Sequence, residues 1–376
     1  MNSLMTNIRA KHCFAAILFV VIALASAAIA QSSPSQSPNA TAEHIFKNIK
    51  VLKDIPANQL IPSMQFISAS LGVECGFCHV ENHFDQDDKK PKQVARKMML
   101  MMTAINQNNF DGHRQVTCNT CHRGARVPEG IPAIAEGPFV PKLRDTGEES
   151  LANLPSATQL LDKYVGALGG EKALLRISTL SEKGTANFMG REFAIDIYDK
   201  APDKRASFMH LPNGDSATVF NGQQGWTGFP HQPPRDMPVS ELEGARIDAD
   251  LQFALHIQQM FPNLRPARPE NLAGQQTYQL VSENAGQPQI RLYFDQQTGL
   301  LLRMVRYGDS PLGLNPVRVD YADYSAVDGV QVPHRWTVAR PSGQFSVQVT
   351  DVKQNVDIED AKFSKPAAPQ QGESSQ

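Results

Sequence analysis

Two five-residue units constrain this chain more than anything else in its 376 residues: Cys75-Gly-Phe-Cys78-His79 and Cys118-Asn-Thr-Cys121-His122. Each spaces a pair of thiols to reach the two vinyl groups of one porphyrin. Each follows them at once with an imidazole that can ligate the iron from the same segment. C-x-x-C-H is the c-type haem attachment signature, and it occurs here twice. Of the five cysteines in the chain, only Cys13 lies outside the two units. The reading is therefore two covalently bound haems c, held at Cys75, Cys78, Cys118 and Cys121, with His79 and His122 as proximal iron ligands. A four-cysteine zinc site is the rival. The 39 residues between Cys78 and Cys118 exceed the usual ribbon spacing, and zinc does not require histidine at the same offset in both units. A thioredoxin-like redox pair would need a βαβ context, which neither unit has.

The N-terminus bears on where such chemistry takes place. Arg9, Lys11 and His12 precede an apolar run from Phe14 to Ala30 that ends in Ala28-Ile29-Ala30 before polar Gln31. A basic flank, a short apolar core and small residues at a cleavage point describe a secretory signal peptide over residues 1–30. The expectation is an exported, periplasmic protein, with Cys13 leaving in the leader. Left uncleaved, the same run would associate the chain with the membrane. No other segment approaches the roughly 18–20 apolar residues that span a bilayer. A formal charge of −2, without a basic cluster interleaved with aromatics, excludes a nucleic-acid partner.

Two grammars follow. Residues 31–42 are polar and Pro/Ser-rich and read as a flexible linker. From 43 to 128 a helical stretch precedes each attachment unit. The first covers Ala57–Leu71 and ends at Gly72, a natural residue for a helix C-terminus. The second begins near Pro91 and runs through Asn106, with Val94, Met98, Met101, Met102 and Ile105 on one face. Five prolines between 128 and 155 mark residues 129–154 as a second linker, so the two halves are expected to separate there. Beyond it, after a helix at Ala157–Leu168, come short alternating segments such as Phe193–Tyr198, Gln289–Phe294 and Phe345–Val349. Asn213-Gly214, Asn221-Gly222 and Asp328-Gly329 punctuate them as hairpin turns. One helical stretch, Val239–Met260, interrupts them. The fold class is α+β in two domains: a loop-rich helical cytochrome domain, then a mostly antiparallel β domain with a few helices over 155–365. Residues 366–376 read as a disordered tail.

Distal iron ligands are less tightly specified by the residues themselves. A thioether opposite histidine is common in electron-carrying cytochromes and raises the reduction potential. Met64 is the one methionine of the first helix, although its apolar neighbours make a core role equally reasonable. In the second helix Met98, Met99, Met101 and Met102 compete, and at most one can ligate. His113, five residues before Cys118, is the alternative. The segment from Glu43 to Arg126 holds eleven Lys/Arg and eight Asp/Glu. Haem propionates need cationic or hydrogen-bonding partners where they are partly buried, and Arg123, directly after the second haem histidine, is the candidate.

At these residues the chain resembles a known family. Met64, Leu71-Gly72-Val73 and Cys75–His79 are similar to one haem segment of the cytochrome subunit of bacterial photosynthetic reaction centres. So are Ala95-Arg-Lys-Met98 through Met101 to Ile105-Asn106, with Val116-Thr-Cys-Asn-Thr-Cys-His-Arg-Gly124. The resemblance implies a helix with an axial Met ahead of each attachment unit, with Met64 and Met101 as the distal ligands. It covers one half of that four-haem subunit. More loosely, the β domain resembles the outer-membrane lipoprotein carrier fold, an open half-barrel around helices, through Phe220–Trp226, Leu292–Leu300 and Asp320–Pro333.

The function these features imply is electron transfer rather than catalysis. Other cytochromes, a quinol oxidoreductase or a reaction centre would be the redox partners. Two alternatives belong to other classes: a haem enzyme with one five-coordinate iron, or a carrier of an apolar ligand in the β domain with the haems as a redox appendage. No catalytic set is visible in the β domain.

Overall fold

In the computed structural model the described residues are 40–128, 153–188, 190–284, 287–340 and 343–365. The expected leader, most of the first linker, nearly all of the second and the tail lie outside them.

The first helical stretch starts as a single 3-10 turn at Ala57–Gln59 and becomes α2 (Leu60–Leu71), after a short α1 (Ala42–Ile45). Gly72 ends α2 in the left-handed conformation, φ 63°. A side chain there would collide with the Gly124 carbonyl oxygen. Glycine is thus required twice over, for its backbone angle and for the close approach. The two attachment units form short helices, α3 (Cys75–Cys78) and α5 (Cys118–His122). Between them α4 (Lys90–Asn109) carries Pro91 in its first turn, where a missing N–H costs nothing.

The β half builds α6 (Ala157–Leu168) and α7 (Glu171–Leu174), then β1 (Thr179–Phe188), β2 (Arg191–Lys200), β3 (Lys204–Leu211), β4 (Gly214–Phe220), β5 (Gly225–Gly228) and β6 (Arg235–Asp236). Helices α8 (Val239–Ala249) and α9 (Phe253–Met260) intervene. Then come β7 (Arg265–Leu272), β8 (Gln275–Asn284), β9 (Gln287–Asp295), β10 (Leu301–Ser310), β11 (Gly313–Val327), β12 (Val330–Arg340) and β13 (Gly343–Gln354). Among the described residues they form one open antiparallel sheet, ordered β6-β5-β4-β3-β2-β1-β13-β12-β11-β10-β9-β8-β7. The first and last strands pair at its middle, with Ala186 opposite Val347. Asn221-Gly222 and Asp328-Gly329 sit between successive strands, while Asn213 lies in the β3–β4 turn and Gly214 already opens β4, paired with Leu211. At Asp328-Gly329 both residues take positive φ, 47° and 85°, as a tight two-residue hairpin requires.

The stretch expected as one helix, Val239–Met260, is two. Asp250 turns extended and its Oδ1 accepts the Gln252 N–H at 2.9 Å, a local alternative to the helical bond. One sheet face is covered by α6 and α9, whose Leu160, Leu161, Tyr164 and Ile257 join Ile195, Leu280, Leu292 and Phe294 in the main core. The other face, near β3 to β5, is closed by Ile358 and Phe363 against Ala206, Val219 and Trp226. Helix α8 buries little apolar surface and is fastened by charge instead. Arg306 on β10 makes a two-pronged contact with the Asp248 carboxylate, while Arg205 on β3 holds both Asp199 oxygens at 2.7 and 2.8 Å. Beside them Glu182, 4 % exposed on β1, has its carboxyl pushed up to about 8 by burial, with Arg205 pulling back and Asp199 adding to the rise.

The haem-bearing segment and the sheet touch through the tip of the β10–β11 hairpin. Leu312, 3 % exposed, packs in one cluster with Phe66 of α2 and with Met99 and Met102 of α4. A Cβ on Gly313 would run into the Phe66 ring. Arg114 donates to the Ser310 carbonyl and pairs with Asp309, and Asn315 Nδ2 donates to the Pro62 carbonyl at 3.2 Å.

Two outcomes are expected. Leu312→Ala should cost about 2–5 kcal/mol, as buried leucines do, and chemical denaturation should show the loss in the haem absorbance as well as in the β-sheet signal. For Glu182 the folded-state pKa lies above the unfolded one, so the folded chain holds the extra proton between about pH 4 and 8 and stability falls as pH rises through that window. Glu182→Gln should flatten that fall, which is at most ~1.4 kcal/mol per pH unit, in denaturation curves recorded across it.

Candidate haem sites

Each attachment unit is positioned by a different helix. The first, α3, lies against the start of α4, where Lys89 Nζ donates to the Gly76 carbonyl. The second, α5, lies against the end of α2, where the Gly124 N–H donates to the Ser70 carbonyl at 2.9 Å. The chain between α4 and α5 is tied back by Asn106, 7 % exposed. Its Nδ2 donates to the Val116 carbonyl at 2.7 Å, and its Oδ1 accepts the N–H groups of Gln115 and Val116 at 3.1 and 2.9 Å. A buried amide with both ends satisfied positions a segment more firmly than packing alone.

The four thiols are free. Burial raises the Cys118 thiol, and it raises Cys78 against the pull of Lys89. No group of three or more His, Cys, Asp or Glu among the described residues is arranged to hold a metal ion.

The two histidines expected as proximal ligands make the same hydrogen bond. His79 Nδ1 lies 2.9 Å from the Phe84 carbonyl, and His122 Nδ1 lies 2.9 Å from the Ala125 carbonyl. A carbonyl oxygen carries no proton, so Nδ1 must donate in each, and the lone pair is left on Nε2. This is the orientation that a histidine ligand takes, with its second ring nitrogen held by the surrounding protein. Burial also lowers the His79 pKa, with Lys92, Arg96 and Lys89 adding to it and the Phe84 bond opposing, so the ring is favoured in the neutral form that binds metal. The paired thiols and the Nε2 atom left open at each unit together suit a c-type haem.

On α4 the methionines divide. Met99 and Met102, each 8 % exposed, belong to the core cluster with Phe66 and Leu312. Met98 and Met101, 44 % and 50 % exposed, continue a stripe from Val94 on the next face of the helix. Met64 is half-buried on α2. His113 is exposed on the turn after α4, its N–H bonded to the Phe110 carbonyl at 2.7 Å. Arg123 is exposed in the left-handed conformation, φ 49°, at the end of α5.

The sequence reading missed the support for the first unit. Lys92 is 9 % exposed, and Nζ donates to the carbonyls of Phe84 and Gln86 at 2.9 and 2.7 Å. It also pairs with Asp87 at 3.1 Å. Arg96 reaches the other Asp87 oxygen at 2.9 Å and the Asn48 carbonyl at 3.0 Å. Arg96, with Lys92 behind it, holds the Asp87 carboxyl well below the usual carboxylate range. Lys92 and Arg96 stand four apart on a helix, which puts them on one face, but nothing in the sequence says that a loop carbonyl would meet them.

Residues 18–163 match the family model described as the photosynthetic reaction centre cytochrome C subunit, a span that contains both attachment units. The photosynthetic reaction center cytochrome c subunit of Thermochromatium tepidum is 31 % identical over 120 residues, 30 % of this chain and 30 % of that protein. The Roseobacter denitrificans subunit is 37 % identical over 103 residues, 24 % and 27 % of the two chains. Cytochrome c-554 of Chloroflexus aurantiacus is 34 % identical over 85 residues, 21 % and 20 %. The chain thus spans under a third of the length of these relatives. Among solved structures, a DUF1329 family protein from Desulfovibrio piger covers 55 % of this chain and 96 % of its own at 15 % identity and TM-score 0.38. A LolA superfamily protein from Nitrosomonas europaea covers 56 % and 99 % at 16 % identity and TM-score 0.37. Residues 18–163 are thus similar to the photosynthetic reaction centre cytochrome c subunits.

Proposed function

We propose that the chain is an exported, periplasmic two-haem cytochrome that passes electrons between redox partner proteins, with a haem domain over 43–128 and a β domain over 155–365. The observation that carries this reading is the duplicated Nδ1–carbonyl bond, which presents Nε2 of His79 and of His122 beside a pair of free thiols. Haem c, when bound, supplies a one-electron iron couple. The protein's own part is to hold each ring by two thioethers, to orient the proximal imidazole and to offer a second ligand. Met64 is the proposed distal ligand at the first site and Met101 at the second. Their neighbours Met99 and Met102 are committed to the core. Were both irons held by two protein ligands each, no position would be open to substrate, so an enzyme is the weaker reading. Arg123 is the proposed propionate partner. Other cytochromes, a quinol oxidoreductase or a reaction centre fit as donors and acceptors. An apolar-ligand carrier is less well supported, because Ile257, Leu280, Leu292 and Phe294 already fill the helix-covered face of the sheet.

Protein made in a host with haem-maturation machinery should keep its colour through denaturation and organic extraction, with an intact mass above the polypeptide by two haems. A gain of one haem, or bound zinc, would sink the reading. The Cys75→Ala/Cys78→Ala double variant should retain one.

The distal ligands have their own test. Met64→His and Met101→His should each lower the potential of one haem while keeping it, and weaken the near-infrared band of methionine-ligated ferric iron. Met98→Leu, Met99→Leu and Met102→Leu should leave both spectra intact, since packing asks for bulk rather than sulfur. A high-spin haem in Met98→Leu or in His113→Ala, with Met101→Leu silent, would move the assignment to that residue.

A further inference from the structure

The two proximal histidines are held alike but not in like surroundings. Among the described residues the Ala125 carbonyl accepts a hydrogen bond from His122 alone. The Phe84 carbonyl accepts two, from His79 Nδ1 and from the buried Lys92 ammonium, both at 2.9 Å. We propose that Lys92 is a positioning residue that raises the reduction potential of the haem at His79 above that of the haem at His122, by placing a buried positive charge on the carbonyl that takes the His79 ring proton.

Two effects act in the same direction. The stronger the acceptor on Nδ1–H, the more electron-rich the imidazole and the better it supports ferric iron. A cation on that oxygen draws its density away and weakens its pull on the ring proton. The ammonium also adds its own field, which favours the iron state of lower positive charge. Asp87 opposes this from 3.1 Å, but its side chain is 38 % exposed against 11 % for Lys92, so water screens the anion more than the cation. Arg96 shares the same carboxylate at 2.9 Å and leaves the cluster net positive. Lys92 cannot be diverted to a propionate. An ammonium has three N–H donors, and here they face Phe84 O, Gln86 O and Asp87 Oδ1. At the second site Arg123, directly after His122, is exposed, so its charge is in water.

The proposal rests on the two-haem reading, and a haem count by mass on each variant tests that reading separately. The measurement is an optical redox titration of the full-length holoprotein. Lys92→Met should shift one of the two one-electron waves downward by about tenfold in its oxidised-to-reduced ratio, 59 mV by the one-electron relation, and leave the other in place. The wave that moves should be the one missing from Cys75→Ala/Cys78→Ala. Lys92→Arg should retain most of the native value, and Asp87→Asn should move the same wave upward. A shift in neither wave or in both equally, or a Lys92→Arg shift as large as that of Lys92→Met, would overturn the proposal. Should Lys92→Met fail to load its haem, Asp87→Asn decides: a rise supports the charge effect, and a fall or no change refutes it.

Discussion

The haem-bearing half depends on the close approach of two glycines. Gly72 closes α2 in a left-handed turn, and its missing side chain lets the Gly124 carbonyl come against it while the Gly124 N–H bonds Ser70. That contact welds the segment after the second attachment unit to the end of the helix before the first. Without it α5 would be placed by the Asn106 link to α4 and by the packing of Val116 and Cys118 on the Phe66 cluster. The two units are therefore not independent beads on a chain. Each is seated on the helix that leads to, or follows, the other, with α3 on α4 and α5 on α2. A rigid seat matters for electron transfer because iron ligands that hold still keep the two oxidation states close in geometry.

What could be read from the sequence was chemistry with a fixed local offset. Thiol, thiol and imidazole lie within five residues, so both attachment units were legible. So were the left-handed Gly72, Pro91 in the first turn of α4, the helix at Ala157–Leu168 and the three hairpin turns, each decided by residues within one turn of chain. The break at Asp250 was missed, although it too is local, because the side-chain bond to Gln252 competes with a helical pattern that otherwise continues. What lay wholly out of reach was everything that depends on which strangers meet. Lys92 reads as a surface lysine until Phe84 and Gln86 turn their carbonyls toward it, and Leu312 reads as a hairpin residue until Phe66 and Met99 surround it. The four α4 methionines look equivalent in sequence, and only packing separates Met99 and Met102 from Met98 and Met101.

That packing also changes how the two halves relate. Prolines between 128 and 155 suggest modules joined by a tether, and those residues are nearly all outside the described structure. Where the halves are described, the hairpin tip supplies Leu312 to the small apolar cluster of Phe66 on α2 with Met99 and Met102 on α4. The haem segment is short, and its own contribution to that cluster of buried residues is Phe66, Met99 and Met102. A leucine borrowed from the sheet compensates for a core that its own residues are too few to close. Arg114 with Asp309 and Asn315 with the Pro62 carbonyl fix the angle at which it enters.

The sheet solves a related problem with charge. Helix α8 has no apolar stripe to bury, yet it lies across strands β3 and β10 through Asp248, with Arg205 and Arg306 reaching it from the sheet. Burial works against the Arg205 charge, but Asp199, Glu182 and Asp248 outweigh it, so the guanidinium stays protonated. Burial, with Asp199 adding to it and Arg205 opposing, makes the Glu182 carboxyl the one that gives up its charge most readily. The same logic governs Lys92, with the opposite result. There the buried group is the cation, its partner Asp87 is partly in water, and the ammonium shares the Phe84 carbonyl with His79. In both halves the protein admits buried charge only where a fixed partner compensates it, and the degree to which that partner is itself hydrated determines the field left behind.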